Sequence, residues 1–393
     1  MVRGKPANPG SIPGSVIMLI LGIETSCDDT GIAVIEASPT RKAVGVNFKI
    51  FSNVISSQIK THAPFGGVVP NLAAREHLKN IEPCLKTVLK EADTKMEQID
   101  LIAVTVGPGL IPSLLIGVHF AKALAYKYKK PIIAVNHIEG HIIAAIAATN
   151  PKSQTLNPKQ LFPAIALVVS GGHTQLVLVK PPHQKFGVGG KYKIIGETRD
   201  DAAGECFDKV AKLLKLGYPG GPVISAKAEE SRIQNQESGI KLPRPMIGHK
   251  NYDFSFSGLK TAVLYLTKDN KNKLKDDKFI QEVCHETQQA IIDVLIEKTL
   301  RAAKEYGAKT IILAGGVAAN TELREQFKLK IVNCPPAGEA GKLKIEFLTP
   351  LKTLCTDNGA MIAMAGYFGA KRHPALRDKS WNKIIANANL RLK

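Results

Sequence analysis

One arrangement of strand, polar turn and strand occurs twice in this chain, and it limits the fold more than any other feature. Met18–Glu24 is an apolar run, Thr25–Thr30 a polar turn and Gly31–Ala37 a second apolar run. Far downstream, Ala164–Val169, the glycine-rich turn Ser170–Thr174 and Gln175–Lys180 repeat the pattern. Each reads as a β-hairpin, because short apolar runs flank a turn of glycines, hydroxyls or carboxylates. A second unit is repeated as well. Leu101–Val106 is a strand ending in Gly107-Pro108-Gly109, followed by an amphipathic helix through Leu114–Tyr126. Thr310–Ala314 ends in Gly315-Gly316 before a helix from about Thr321. Two copies of hairpin plus strand–glycine–helix predict a duplicated α/β fold, with two lobes around a central cleft.

Between these anchors lie a long helix, Leu72–Lys90, and a Pro/Gly/Lys-rich connection, Lys180–Lys193. A polar insertion runs from about Ser231 to Lys278, irregular apart from Phe254–Leu266. It reads as a substrate-facing lobe or as a tolerated surface excursion. Residues 1–17 lack a signal core and a transit-peptide pattern and read as a disordered tail. The expected division is that tail, a first lobe over 18–150, and a second lobe over 151–370 with an inserted segment at about 225–280. A C-terminal segment, 371–393, is expected to pack back on the first lobe.

Composition narrows the function classes. With 53 Lys+Arg against 34 Asp+Glu the formal charge is +19, which suits a polyanionic partner such as nucleic acid. The lysines form local clusters at Lys127–Lys130, Lys271–Lys278 and Lys371–Lys393 rather than one patch, so a plain solubility bias is the competing explanation. The six cysteines are scattered without a CxxC pair, as in reduced proteins without a disulfide scaffold or zinc knuckle. No apolar run approaches the roughly 18–20 residues that span a bilayer.

Several motifs carry chemistry. His137-Ile138-Glu139-Gly140-His141 puts two imidazoles one helical turn apart on one face, a spacing suited to a metal. Glu139 falls roughly 200° around the helix from His137, at about 100° per residue, and so makes a poor base for a metalloprotease. A carboxylate should complete the set, and Asp357, just before the apolar run Ala360–Tyr367, is the candidate. The same residue suits a helix N-cap; taken alone, its position favours the cap. Ser170–Thr174 offers backbone N–H groups to an anion, and Thr25–Thr30 offers hydroxyls with Asp28 and Asp29, which suit Mg²⁺ beside phosphates. Together they form a clamp for a phosphate chain. From Asp200 a helix is expected to about Leu214, with Asp201, Glu205 and Asp208 on one face, either as a solvated stripe or as partners of ribose hydroxyls. Tyr218–Pro222 is a rigid glycine turn. Asn320, after Gly315-Gly316, is a ligand contact or only a cap.

These ordered motifs resemble the universal threonylcarbamoyltransferase family, called TsaD in bacteria and once misnamed a sialoglycoprotein endopeptidase. The resemblance runs from Gly22–Thr30 through Asn136–His141, Ser170–Thr174, Asp201–Lys209, Tyr218–Pro222, Ser255–Lys260, Gly315–Asn320 and Thr356–Ala363. The run Gly196–Glu205 is similar to bacterial and organellar members. The resemblance implies an actin/Hsp70/sugar-kinase-like (RNase H-like) fold. It implies transfer of a threonylcarbamoyl group from threonylcarbamoyl-adenylate to N6 of the adenosine 3′ of the anticodon, in tRNAs reading ANN codons, with release of AMP. His137, His141 and Asp357 would then hold one iron ion, with zinc tolerated by the same ligands, and Mg²⁺ would accompany the nucleotide. Val168, Val169, Ser170, Gly171, Gly172, Asp208, Gly221 and Asn320 would contact the adenylate, and Ser225 stands where some members carry an acidic contact. The implied partners are tRNA, a dimerising paralogue (TsaB-like) and a small ATPase (TsaE-like), in the cytoplasm or the mitochondrial matrix. No residue stands out as a general base. An actin-fold small-molecule kinase and a metalloprotease are the competing readings.

Overall fold

The computed structural model describes residues 17–39, 46–147, 161–181, 191–233, 239–332, 345–372 and 380–392. Most of the expected tail and most of the 180–193 connection lie outside the described residues. The first sheet contains β1 (Met18–Glu24), β2 (Asp29–Pro39), β3 (Val46–Ser57), β4 (Leu101–Gly107) and β5 (Ile132–Asn136), in the order β3-β2-β1-β4-β5. The second contains β6 (Ala164–Val169), β7 (Thr174–Val179), β8 (Tyr192–Glu197), β9 (Thr310–Ala314) and β10 (Glu346–Leu348), in the order β10-β9-β6-β7-β8. The two orders are the same when each sheet is counted from its own first strand. In both, that strand pairs antiparallel with its hairpin partner and parallel with the strand that precedes a glycine turn. The duplication read from the sequence is therefore a duplication of topology.

Helices complete the layers. In the first lobe α1 (Pro70–Glu91) and α2 (Ile111–Tyr128) cover the outer face of the sheet, and α3 (His137–Ala147) follows β5. In the second lobe come α4 (Ala203–Leu213), α5 (Gly220–Ile233), α6 (Ser257–Asp269), α7 (Asp277–Glu305) and α8 (Thr321–Val332), and α9 (Gly359–Arg372) follows β10. The last helix of each lobe crosses over: α3 packs on β6 and β9 of the second sheet, and α9 packs on β1, β2 and β4 of the first. They also pack on each other, so one apolar core joins both inner faces. Both helices are apolar nearly all round, which suits burial on every side.

Glycines set how closely α9 docks. A Cβ on Gly359 would lie 2.4 Å from the Ala33 nitrogen, and one on Gly22 would lie 2.0 Å from the Gly359 carbonyl oxygen. Only bare backbone on both sides lets the helix N-terminus rest on β1 and β2. The loop just before it is thereby placed at the ends of those strands.

The insertion is no mere excursion. Phe254 and Phe256 are fully buried in the second-lobe core, and Asp200 accepts hydrogen bonds from the hydroxyls of Ser255 and Ser257, each at 2.6 Å. Near the C-terminus, the Asn387 N–H donates to the Val106 carbonyl at 2.7 Å, and Trp381 meets Tyr126 edge-on with ring centroids 5.6 Å apart. Among the described residues no helix is long and apolar enough to cross a membrane.

Candidate metal centre and adjoining cleft

His137 opens α3 directly after β5. The Asn136 carboxamide oxygen accepts from the N–H groups of Ile138 (2.9 Å) and Glu139 (3.2 Å), so the cap precedes the histidine and leaves its ring free. One turn on, His141 meets it edge-on, with centroids 4.7 Å apart. Asp357 reaches them from the loop before α9: its Oδ1 lies 3.2 Å from His141 Nε2 and 3.6 Å from His137 Nε2. One ligand atom from each of the three residues lies within 4.8 Å of the others, so the group could hold a metal ion. The cap is supplied by the next residue. Asn358 caps α9, its oxygen accepting the Met361 N–H at 3.0 Å, and Asp357 turns to the histidines.

The electrostatics suit a cation. Burial opposes charge on His137, but Asp357 and Glu24 outweigh it and lift the imidazole to about 9. Burial likewise opposes the Asp357 carboxylate, yet His137 and His141 hold it well below the usual range. A largely buried site that grips a proton this firmly has a strongly negative potential, and a divalent ion can take the proton's place. Two imidazoles and one carboxylate fit iron or zinc better than an oxygen-seeking ion. Glu139 faces elsewhere, accepting hydrogen bonds from Tyr192 (3.1 Å) and Arg372 (2.6 Å).

Both turns reach this centre. In the first, Ser26 Oγ lies 3.1 Å from His137 Nδ1. His77 braces that turn from α1: its Nε2–H donates to the Cys27 carbonyl at 3.0 Å, so Nδ1 accepts from the Thr30 hydroxyl at 2.8 Å. Asp28 and Asp29 crowd together there, and burial pushes Asp29 up to about 7. The Asp28 carboxylate accepts from the Tyr218 hydroxyl at 3.4 Å, a bond across the cleft. In the second turn the His173 ring lies 6.2 Å from that of His137, and burial with that neighbour lowers it to about 4, which keeps it neutral.

The second-lobe residues picked out by the sequence lie on this turn, on β6 before it, on α4 and α5, and at the end of the Gly315–Asn320 turn. A Cβ at Gly171, Gly172 or Gly221 would meet nothing within 4 Å, so their backbones border open space. Val168 and Val169 bury their side chains in the core and can offer only backbone. Gly315 packs against Val169 with φ +91°, a conformation that glycine alone adopts easily. The Gly204 N–H donates to the Ser170 carbonyl at 3.2 Å, which brings the N-terminus of α4 to the turn. Asp208 accepts the Gly220 N–H at 2.7 Å, and burial raises its carboxyl to about 6. Asn320 caps α8, its oxygen accepting the Leu323 N–H at 2.9 Å, and its amide donates to Ser225 and Gln288, each at 2.8 Å. The acidic face expected from Asp201 does not form, because α4 starts at Ala203; Asp201 and Glu205 both pair with Lys209. Glu24 also belongs to the centre's surroundings, lying 3.1 Å from His137 Nδ1. Its signal was a carboxylate ending an otherwise apolar strand.

Twin lobes of one topology, with a turn from each meeting at a seam, define an actin-like α/β protein with a candidate metal centre. HypF from T. kodakarensis has this fold, with a TM-score of 0.53 and 13% identity, over 95% of this chain and 50% of that one. Full-length HypF in its phosphate- and nucleotide-bound form gives 0.50 and 13% identity, over 93% and 56%. The chain thus spans about half the length of HypF, and the likeness shows the fold alone. The family model described as tRNA N6-adenosine threonylcarbamoyltransferase matches residues 49–364. Curated relatives of that name include one from Thermosipho africanus, 46% identical over 89% of this chain and 94% of its own, and one from Persephonella marina, 47% identical over 89% and 90%. The chain belongs to the tRNA N6-adenosine threonylcarbamoyltransferase family.

Proposed function

We propose that this chain transfers the threonylcarbamoyl group of threonylcarbamoyl-adenylate to N6 of the adenosine 3′ of the anticodon, in tRNAs reading ANN codons, releasing AMP. The observation that carries this reading, in a chain of this family, is the meeting of His137, His141 and Asp357 with a turn from each lobe. The exocyclic amine of adenine is a weak nucleophile and needs an activated acyl donor. The mixed anhydride of the adenylate is one, and AMP is a good leaving group.

His137, His141 and Asp357 would hold one iron ion, and zinc fits the same donors. When bound, such an ion supplies Lewis-acid polarisation of the acyl carbonyl. The backbone of Ser170–Gly172 and the N-terminus of α4 would bind the phosphate, whose charge grows as AMP departs. Asp208, Gly221 and Asn320 would orient the rest of the adenylate, and Asp28 and Asp29 suit Mg²⁺ brought with the nucleotide. The departing phosphate accepts the N6 proton in this scheme, and no side chain is assigned as general base. Unstacking the acceptor adenine costs a few kcal/mol, least in a single-stranded loop. Lysine clusters such as Lys127–Lys130 would meet the tRNA backbone. A dimerising paralogue and a small ATPase would work with the chain in the cytoplasm.

The competing readings fit less well. A sugar kinase has no use for the histidine pair, and a protease would need Glu139 beside it. The test is to incubate the protein and its two partner proteins with unmodified tRNA and threonylcarbamoyl-adenylate, then weigh the digested nucleosides. Threonylcarbamoyladenosine is the expected product. Unmodified adenosine under conditions where a T. africanus relative reacts would overturn the proposal.

A further inference from the structure

β1 is apolar from Met18 to Ile23 and then ends in a carboxylate that is 0% exposed, that of Glu24. A buried carboxylate without partners costs several kcal/mol, so its surroundings show its role. Glu24 Oε1 accepts the Ser26 N–H at 2.5 Å. Oε2 accepts the Thr105 hydroxyl of β4 at 2.6 Å and lies 3.1 Å from Nδ1 of His137. Both Glu24 oxygens already take up donors, the Ser26 N–H and the Thr105 hydroxyl, so the group acts as an acceptor and the ring proton between Glu24 and His137 sits on Nδ1. The other ring nitrogen, Nε2, faces Asp357. His137 is therefore held between two carboxylates, one in the core of the first lobe and one at the candidate metal centre.

We propose that Glu24 is a positioning residue for the cation site, fixing both the tautomer and the orientation of His137 so that Nε2 presents its lone pair beside His141 and Asp357. The inference rests on reading these three residues as a metal centre and adds a group that touches none of the reacting atoms. Glu24 ends β1, and Thr105 lies on β4. The centre is thus fastened to two adjacent inner strands of the first sheet. Acceptors placed behind a metal-bound histidine raise its basicity, and losing one weakens metal binding by about 10–100-fold.

The test uses the full chain with Zn²⁺ as probe, titrated against a competing chelator. Glu24→Gln should bind Zn²⁺ about 10–100-fold more weakly than wild type, with unchanged far-ultraviolet circular dichroism. Thr105→Val, which frees the carboxylate without touching the histidine, should shift affinity the same way by less. Placed in a His137→Ala background, Glu24→Gln should change the residual affinity no further. A second readout needs no variant. In the Zn²⁺-loaded wild type, long-range proton–nitrogen NMR should show the His137 proton on Nδ1. Undiminished affinity in Glu24→Gln, an equal loss with and without His137, or a proton-free Nδ1 would each overturn the proposal. Wild type that binds no Zn²⁺ would instead refute the metal-centre reading beneath it.

Discussion

Replacing Gly359 with alanine tests how packing places the site. The new Cβ would lie 2.4 Å from the Ala33 nitrogen, 2.6 Å from the Ile32 carbonyl carbon and 2.8 Å from the Gly22 carbonyl oxygen. The first of these is about 1 Å inside ordinary contact. All three atoms are backbone of the paired strands β1 and β2, so no side chain can turn aside. α9 must lift instead. Overpacking of this kind costs about 1–3 kcal/mol, and the upper end applies where nothing can yield. At roughly 2–4 °C per kcal/mol for a lobe of this size, Tm should fall by about 6–12 °C. Asp357 precedes Gly359 by two residues and would leave its 3.2 Å contact with His141. Displacement of about 1 Å in such a constellation lowers rate by about 100-fold. Scanning calorimetry of Gly359→Ala beside Gly67→Ala, whose Cβ would meet nothing within 4 Å, separates this clash from a generic glycine effect. Equal Tm values for the two variants would refute the reasoning.

Other consequences follow from the same geometry. In metal-free protein the His137 pKa is raised from 6.5 to about 9, so its contribution to stability is full below pH 6.5 and is lost as pH rises through about 9. Melting in the presence of chelator should show that decline, and added Zn²⁺ should remove it; a pH-independent Tm would contradict the assignment. Glu139→Gln should cost about 1–3 kcal/mol by leaving Arg372 short of its partner, while the number of metal ions bound per chain stays the same. Loss of the metal on that change would place Glu139 at the centre. Phe256→Ala should cost about 3–5 kcal/mol in chemical denaturation, since the ring is fully buried; a cost under about 1 kcal/mol would return the 231–278 segment to a surface role.

What could be read in advance was local. The repeated hairpins and glycine turns announce themselves because each strand and its turn are neighbours in sequence. The histidine pair was legible for the same reason, as helical spacing alone aligns the two rings. Asp357 could not be separated from a cap by composition, because Asp and Asn both cap helices; only the docking of α9 shows that Asn358 takes that role. The start of α4 is hard to place from sequence because its N-cap residue, Ala202, carries no capping side chain. The hydroxyl of Thr174, distant in sequence, accepts the Ala203 N–H instead, at 2.9 Å. The Phe254–Phe256 pair sits in a polar stretch, and only tertiary packing shows that it plugs the second core. β3 escaped notice as an edge strand with mostly part-exposed positions and no strict alternation.

Metal analysis by plasma mass spectrometry, on wild type and His141→Ala reconstituted anaerobically with iron and desalted, tests the centre most directly. The geometry predicts one ion per wild-type chain and almost none in the variant, with both proteins folded. Equal occupancy in the two proteins, or an empty wild type, would contradict it.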